Sequence, residues 1–141
     1  MAEQQKFTFK LPRGYREDDL ESIAEDVIQF IKDRSQNGFG VRRGKTYQFP
    51  EYSEAYRVNV KGGQRRVDLT LSEEMLNSIE VLDIDGRQVV IGFEEGEQND
   101  KAEGNQLGSY GRSPNPRKAR KFLGLTVEER EAILAAYDRD E

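Results

Sequence analysis

The sequence predicts an α+β fold, with a long N-terminal helix packed on a small antiparallel sheet, a large basic loop and a C-terminal helix. Three observations carry this reading. Leu20, Ile23, Ala24, Val27, Phe30 and Ile31 recur at three- and four-residue intervals, which draws one apolar stripe along a helix. Two short apolar runs, 81–84 and 89–93, flank Asp85-Gly86, the pattern of a hairpin closed by a two-residue turn. Thr126 with Glu129 three residues on forms a capping box that opens a terminal helix.

Taken in order, Lys6-Phe7-Thr8-Phe9-Lys10-Leu11 alternates strictly, placing Phe7, Phe9 and Leu11 on one face of an extended strand until Pro12 and Gly14 break it. Residues 1–15 are therefore expected to form an extended N-terminal arm. It is either an edge strand on the chain's own sheet or a strand offered to a neighbouring subunit. Residues 16–137 are expected to form a single domain, with 138–141 as a tail. In the long helix, Glu17, Asp18, Asp19 and Glu21 crowd the first turns, where carboxylates meet the positive end of the helix dipole, and Asn37-Gly38 supplies a left-handed stop.

Residues 38–66 read as irregular, punctuated by Gly38, Gly40, Gly44, Pro50 and Gly62-Gly63, with a short helix between Ser53 and Val60. The stretch 37–66 is expected to be a mobile loop. It is markedly basic, since Arg42, Arg43, Lys45, Arg57, Lys61, Arg65 and Arg66 face only Glu51 and Glu54. Thr70 and Glu73 make another capping box, ahead of a short helix carrying Met75, Leu76 and Ile79. After the hairpin, Glu94, Glu95, Glu97, Asp100 and Glu103 form an acidic stretch. A purely basic run follows in Arg112, Arg117, Lys118, Arg120 and Lys121, and the terminal helix carries Val127, Ile133, Leu134 and Tyr137 near one stripe.

The composition sets limits on chemistry. Of 141 residues, 35% are charged, against about 25% in typical globular chains, and 35% are hydrophobic, so the core is lean. No Cys and no His are present, which removes thiolate nucleophiles, disulfides, iron–sulfur clusters, imidazole bases and the usual zinc ligands. No stretch approaches 18 consecutive apolar residues and the first 15 residues lack a signal-peptide core, so a soluble protein made in the cytosol is expected.

Two motifs invite chemistry and lose to simpler readings. Gly44-Lys45-Thr46 ends like a phosphate-binding loop, but Phe39 stands where that loop needs its first Gly, and a helix precedes it instead of a strand. Asp83, Asp85 and Glu94 would suit a hard cation or a nuclease site, yet alternation assigns the two aspartates to the solvated side of the hairpin. No cofactor and no metal are expected. The run 112–121, kept extended by Pro114 and Pro116 and undiluted by acids, would hold phosphate by counterion release or dock on an acidic protein surface. Opposite charge blocks at separate positions suit a heterologous contact that closes into a ring. The candidate interface residues are therefore Phe7, Phe9, Leu11, Arg42, Arg43, Arg112, Arg117, Lys118, Arg120 and Lys121.

An ordered series of segments resembles the tailed-bacteriophage neck and tail-completion proteins, the group that includes the virion morphogenesis proteins. The segments are Phe49-Pro50-Glu51-Tyr52-Ser53-Glu54-Ala55-Tyr56, Val67-Asp68-Leu69-Thr70-Leu71-Ser72, Met75-Leu76-Asn77-Ser78-Ile79, Lys101-Ala102 with Asn105 and Gly108, and Arg120-Lys121-Phe122-Leu123-Gly124-Leu125. They fall between about residues 16 and 135. Glu73-Glu74 departs from a Gly that the family often carries before Met75, and Lys121 departs between Arg120 and Phe122. The resemblance implies a structural virion protein without an active site, forming a homo-oligomeric ring at the head–tail junction that completes the tail and joins it to the head. It also implies adjoining head-completion and tail-terminator or tail tube proteins as partners. Genomic DNA would pass through the channel without sequence-specific binding, and no membrane would be involved. The location would be the virion, after assembly from the host cytoplasm. The alternative is a nucleic-acid-binding module using Arg42, Arg43, Arg65, Arg66 and residues 117–121 on phosphates.

Overall fold

The apolar stripe of residues 20–31 folds as α1 (Leu20–Gln36), entered through a 3-10 turn at Glu17–Asp19. A computed structural model describes residues 3–49, 73–107 and 119–138 of the chain. Leu20, Ile23, Ala24, Val27 and Ile31 are buried and Phe30 is half-buried. Each large aliphatic side chain so buried contributes roughly 1.5–3 kcal/mol. The stripe continues one turn further than its apolar residues, because Arg34 and Ser35 are also buried. Gly38, with φ 90°, supplies the left-handed residue that stops the helix.

The helix packs on a three-stranded antiparallel sheet in the order β1 (Lys6–Lys10), β5 (Gln88–Gly92), β4 (Glu80–Asp85). In register, Lys6 faces Gly92, Lys10 faces Gln88, and Asp85 faces Gln88 from the other side. Because Asp85 stays in the ladder, the hairpin turn is Gly86-Arg87, one residue later than the expected Asp85-Gly86. Gly86 has φ 60° and Arg87 is not left-handed, which is the chemistry of a turn with glycine at its first central position. A bulge interrupts the ladder between Val81 and Asp83.

The expected N-terminal arm is part of this sheet. Phe9 and Leu11 are buried in the main core beside Val89, Ile91 and Phe93, and Phe7 packs half-buried against them. Residues 3–11 therefore belong to the domain, and their apolar face is already occupied within the chain. Gly92 makes this possible: a Cβ there would lie 2.2 Å from the Gln5 carbonyl oxygen.

The start of the expected irregular loop is ordered. β2 (Phe39–Arg42) and β3 (Lys45–Gln48) form a second antiparallel hairpin, closed by Arg43 (φ 54°) and Gly44 (φ 77°). Two consecutive left-handed residues define the turn whose twist matches paired strands. The short helix α2 (Glu73–Asn77) buries Met75 and Leu76, with Ile79 buried just after it. The acidic stretch contains α3 (Glu97–Leu107), whose buried residues are Asn99, Ala102 and Asn105. α4 (Val127–Ala136) begins with the expected capping box at Thr126 and Glu129. Ile133 anchors it, whereas Val127 is 56% exposed and does not belong to the buried stripe. The Ser53–Val60 helix, the Thr70 cap, the remainder of the 37–66 loop and the basic residues Arg112, Arg117 and Lys118 lie outside the described residues.

Candidate functional site

The charged residues of the β2–β3 tip, Arg42, Arg43 and Lys45, are exposed. Arg42 and Lys45 close the hairpin as a pair, with Arg43 between them on the turn. The Arg42 guanidinium lies 4.1 Å from the centroid of the Tyr47 ring, an attractive cation–π placement that fixes the side chain. The Tyr47 hydroxyl donates to the Ala119 carbonyl (2.9 Å) and accepts from the Lys121 N–H (2.7 Å). The Val41 N–H donates to the Lys121 carbonyl at 2.8 Å. The segment 119–121 is thus held against β2 by backbone groups, which leaves the Lys121 side chain exposed beside Arg42, Arg43 and Lys45. Gly40 permits the approach, since a Cβ there would lie 2.6 Å from the Lys121 carbonyl oxygen.

The Val127 N–H donates to the Gly44 carbonyl at 2.9 Å, seating the tip on the start of α4. A cleft of about 610 Å³ between them is lined by Arg43–Thr46 and Thr126–Glu128. Gly44 is a turn residue and Lys45 and Thr46 start β3, so Gly44-Lys45-Thr46 does not open a helix as a phosphate loop must.

Among the described residues, carboxylates mark one end of α1 and the basic tip lies at the other. α4 runs antiparallel to α1, since Glu129 near its start meets Arg34 while Tyr137 at its end donates to Asp26 at 2.7 Å. The basic tip therefore lies at the C-terminal end of α1, whereas Glu17, Asp18, Asp19 and Glu21 mark the N-terminal end. A helix of 17 residues separates these poles by about 25 Å.

The other expected interface residues behave differently. Arg120 is 2% exposed, donates from Nη1 to Asn105 Oδ1 at 3.1 Å, and is a framework residue, not a surface cation. Its backbone N–H donates to the Asn105 carbonyl at 2.5 Å, which pulls it inside as its neighbour Lys121 points out. Phe9 and Leu11 are core, as described above. Asp83, Asp85 and Glu94 are exposed, and among the described residues no three His, Cys, Asp or Glu side chains converge where they could hold a metal.

Several framework residues had no assigned role in the sequence reading. Buried Asn99 accepts from the Gln5 N–H (2.7 Å) and donates to the Glu3 carbonyl (3.1 Å), so one side-chain amide pairs with the strand leading into β1. Arg34 donates to the carbonyls of Phe39, Gly124 and Phe122 and to Glu129. Its burial pushes the guanidinium pKa down, and the charge and hydrogen bond of Glu129 work against that. The signal for Arg34 was its position, seven residues after Val27 on the apolar stripe. No protein-family model, curated protein or solved structure matches the chain.

Proposed function

We propose that this chain is a structural subunit of the head–tail junction of a tailed bacteriophage, acting as a ring that completes the tail. The observation that carries the reading is the bipolar charge: a preorganised basic tip at one end of α1 and an acidic cluster about 25 Å away at the other. A ring with faces of opposite sign suits stacking between unlike rings, because complementary potentials select and orient partners. The resemblance adds weight, since three of its five segments meet at one residue. Asn105 receives Arg120, and its amide nitrogen lies 3.9 Å from the Met75 sulfur. The chain also lacks the His and Cys on which most hydrolytic and zinc chemistry depends.

In this reading Arg42, Arg43, Lys45 and Lys121 dock on an acidic neighbour in the adjoining ring. The experiment is incorporation into particles. A chain with these four residues reversed to Glu should fold and fail to join tails to heads, whereas tail joining at the wild-type level contradicts the assignment. The nucleic-acid alternative uses the same cations on phosphates, and duplex binding with a steep salt dependence would favour it.

A further inference from the structure

Among the described residues, the central sheet ends in two open edges of opposite charge. Ladder bonds from the Leu11 N–H to the Arg87 carbonyl (2.7 Å) and from the Phe93 N–H to the Gln5 carbonyl (3.1 Å) set the phase of the β1–β5 pairing. By alternation, Phe7 and Phe9 direct their backbone groups to β5, and Lys6, Thr8 and Lys10 direct theirs outward. On the other side, Glu80, Asp83 and Asp85 face Gly92, Val90 and Gln88, so Val81 and Ile84 direct their backbone groups outward. Lys6, Thr8, Lys10, Glu80, Asp83 and Asp85 are all exposed. Among the described residues, none of their charged side chains has an ion-pair partner. The backbone carbonyl of Lys10 accepts from Arg130 at 3.4 Å, which marks the end of the open stretch of β1.

We propose that the β1 edge of one copy pairs with the β4 edge of the next, as a parallel neighbour, so that the sheet continues from subunit to subunit. The inference deepens the ring reading and supplies its lateral contact. Charge excludes the symmetric alternatives: β1 against β1 sets lysines among lysines, and β4 against β4 sets carboxylates among carboxylates, both unfavourable across strands. Geometry then fixes the direction. The outward-bonding residues of β1 carry side chains on the open face, while those of β4 carry theirs on the core face. Antiparallel pairing would lay one copy's core face beside the other's open face, but parallel pairing keeps the two layers continuous. Within one chain β1 and β4 already run in the same direction, since both are antiparallel to β5. A head-to-tail rotation therefore presents the edges correctly.

One register satisfies both edges. With Thr8 opposite Asp83, Lys10 falls opposite Asp85, and the bulge between Val81 and Asp83 brings Lys6 opposite Glu80. The Thr8 carbonyl then accepts from the Ile84 N–H, and the Lys10 N–H donates to the Ile84 carbonyl. The Lys10 carbonyl, which Arg130 already serves, takes no part in these two bonds. Edge lysines and bulges resist indiscriminate strand pairing. Here the same devices admit only the opposite edge.

The test exchanges the charges. Sedimentation velocity of the wild-type chain should show assembly beyond a dimer. The pair Lys6→Glu and Lys10→Glu, or the pair Glu80→Lys and Asp85→Lys, should keep the wild-type circular dichroism and weaken association by roughly tenfold or more, at up to about 1 kcal/mol for each cross-strand pair lost. The chain carrying all four changes should assemble again, as should a mixture of the two pair variants. A second variant reads proximity in this cysteine-free chain. Thr8→Cys with Asp83→Cys places thiols two strand spacings apart within one chain, roughly 9.5 Å, too far for a disulfide. Oxidation should therefore produce a covalent ladder of multimers. Rings that form normally in both pair variants overturn the edge pairing and leave the ring reading standing. A wild-type chain that stays monomeric or dimeric overturns both.

Discussion

Arg34 on α1 and Glu129 on α4, 95 residues apart in sequence, meet as a buried ion pair with Nη1 and Oε1 2.5 Å apart. The same carboxylate oxygen accepts from the Thr126 N–H at 3.0 Å, completing the cap of α4. One oxygen thus fixes a helix start and neutralises a buried cation. The remaining guanidinium donors take the carbonyls of Phe39, Phe122 and Gly124, so this pair ties α1 and α4 to β2 and to the segment that carries Lys121.

Breaking a buried pair from one side leaves a charge without compensation. Arg34→Ala should cost about 3–5 kcal/mol, measured by denaturant unfolding. Glu129→Gln should cost less, because the amide still accepts from Thr126. A loss for Arg34→Ala below about 1 kcal/mol would show that the clamp does not hold the fold.

Gly92→Ala should displace the strand leading into β1, because the added Cβ meets backbone atoms of Gln5 and Lys6. Overpacking of this kind costs typically 1–3 kcal/mol. Hydrogen exchange should accelerate at Phe7 and Phe9 in this variant before it does so along α1. Uniform acceleration along both elements would mean that the arm and the helix unfold as one unit.

The Tyr137 hydroxyl donates to Asp26, and this bond, with some desolvation and the carboxylate charge, pushes its pKa up from 10.0 to about 12. The folded state therefore favours the neutral phenol. The contribution to stability is present below pH 10 and is lost as pH rises from about 10 to 12. Ultraviolet titration should find a late component from Tyr137, and Asp26→Asn should return it to the ordinary range. A titration curve that Asp26→Asn leaves unchanged would contradict the hydrogen bond.

Arg120 and Lys121 are adjacent and should respond oppositely. Lys121→Glu should leave the melting temperature close to wild type, since exposed charges are individually worth about 0–1 kcal/mol. Arg120→Glu should lower it sharply, because a buried side chain held by Asn105 reverses sign. Equal melting temperatures would remove the distinction between framework and surface in this segment.

The elements legible in the sequence were those whose signal is local. The stripe of α1, the Gly38 stop and the Thr126–Glu129 box needed only spacing. α3 was missed because its buried positions are Asn99, Ala102 and Asn105, a helical period written in amides that an apolar pattern does not register. The β2–β3 hairpin was missed because Arg43 occupies a left-handed position usually given to Asn or Asp. The arm was ambiguous because alternation specifies a strand without specifying its partner. Gly92 and Asn99, which select the intrachain partner, act through tertiary contact. The basic surface was legible as charge, but the burial of Arg120 beside the exposed Lys121 depends on Asn105, 15 residues earlier.

The central claim, a ring-forming structural subunit, is tested most directly by electron microscopy of the purified wild-type chain at the concentration where sedimentation shows assembly. The account predicts closed rings of uniform diameter with a central opening. Isolated monomers or dimers throughout, in a protein that instead binds duplex DNA with a steep salt dependence, would contradict it.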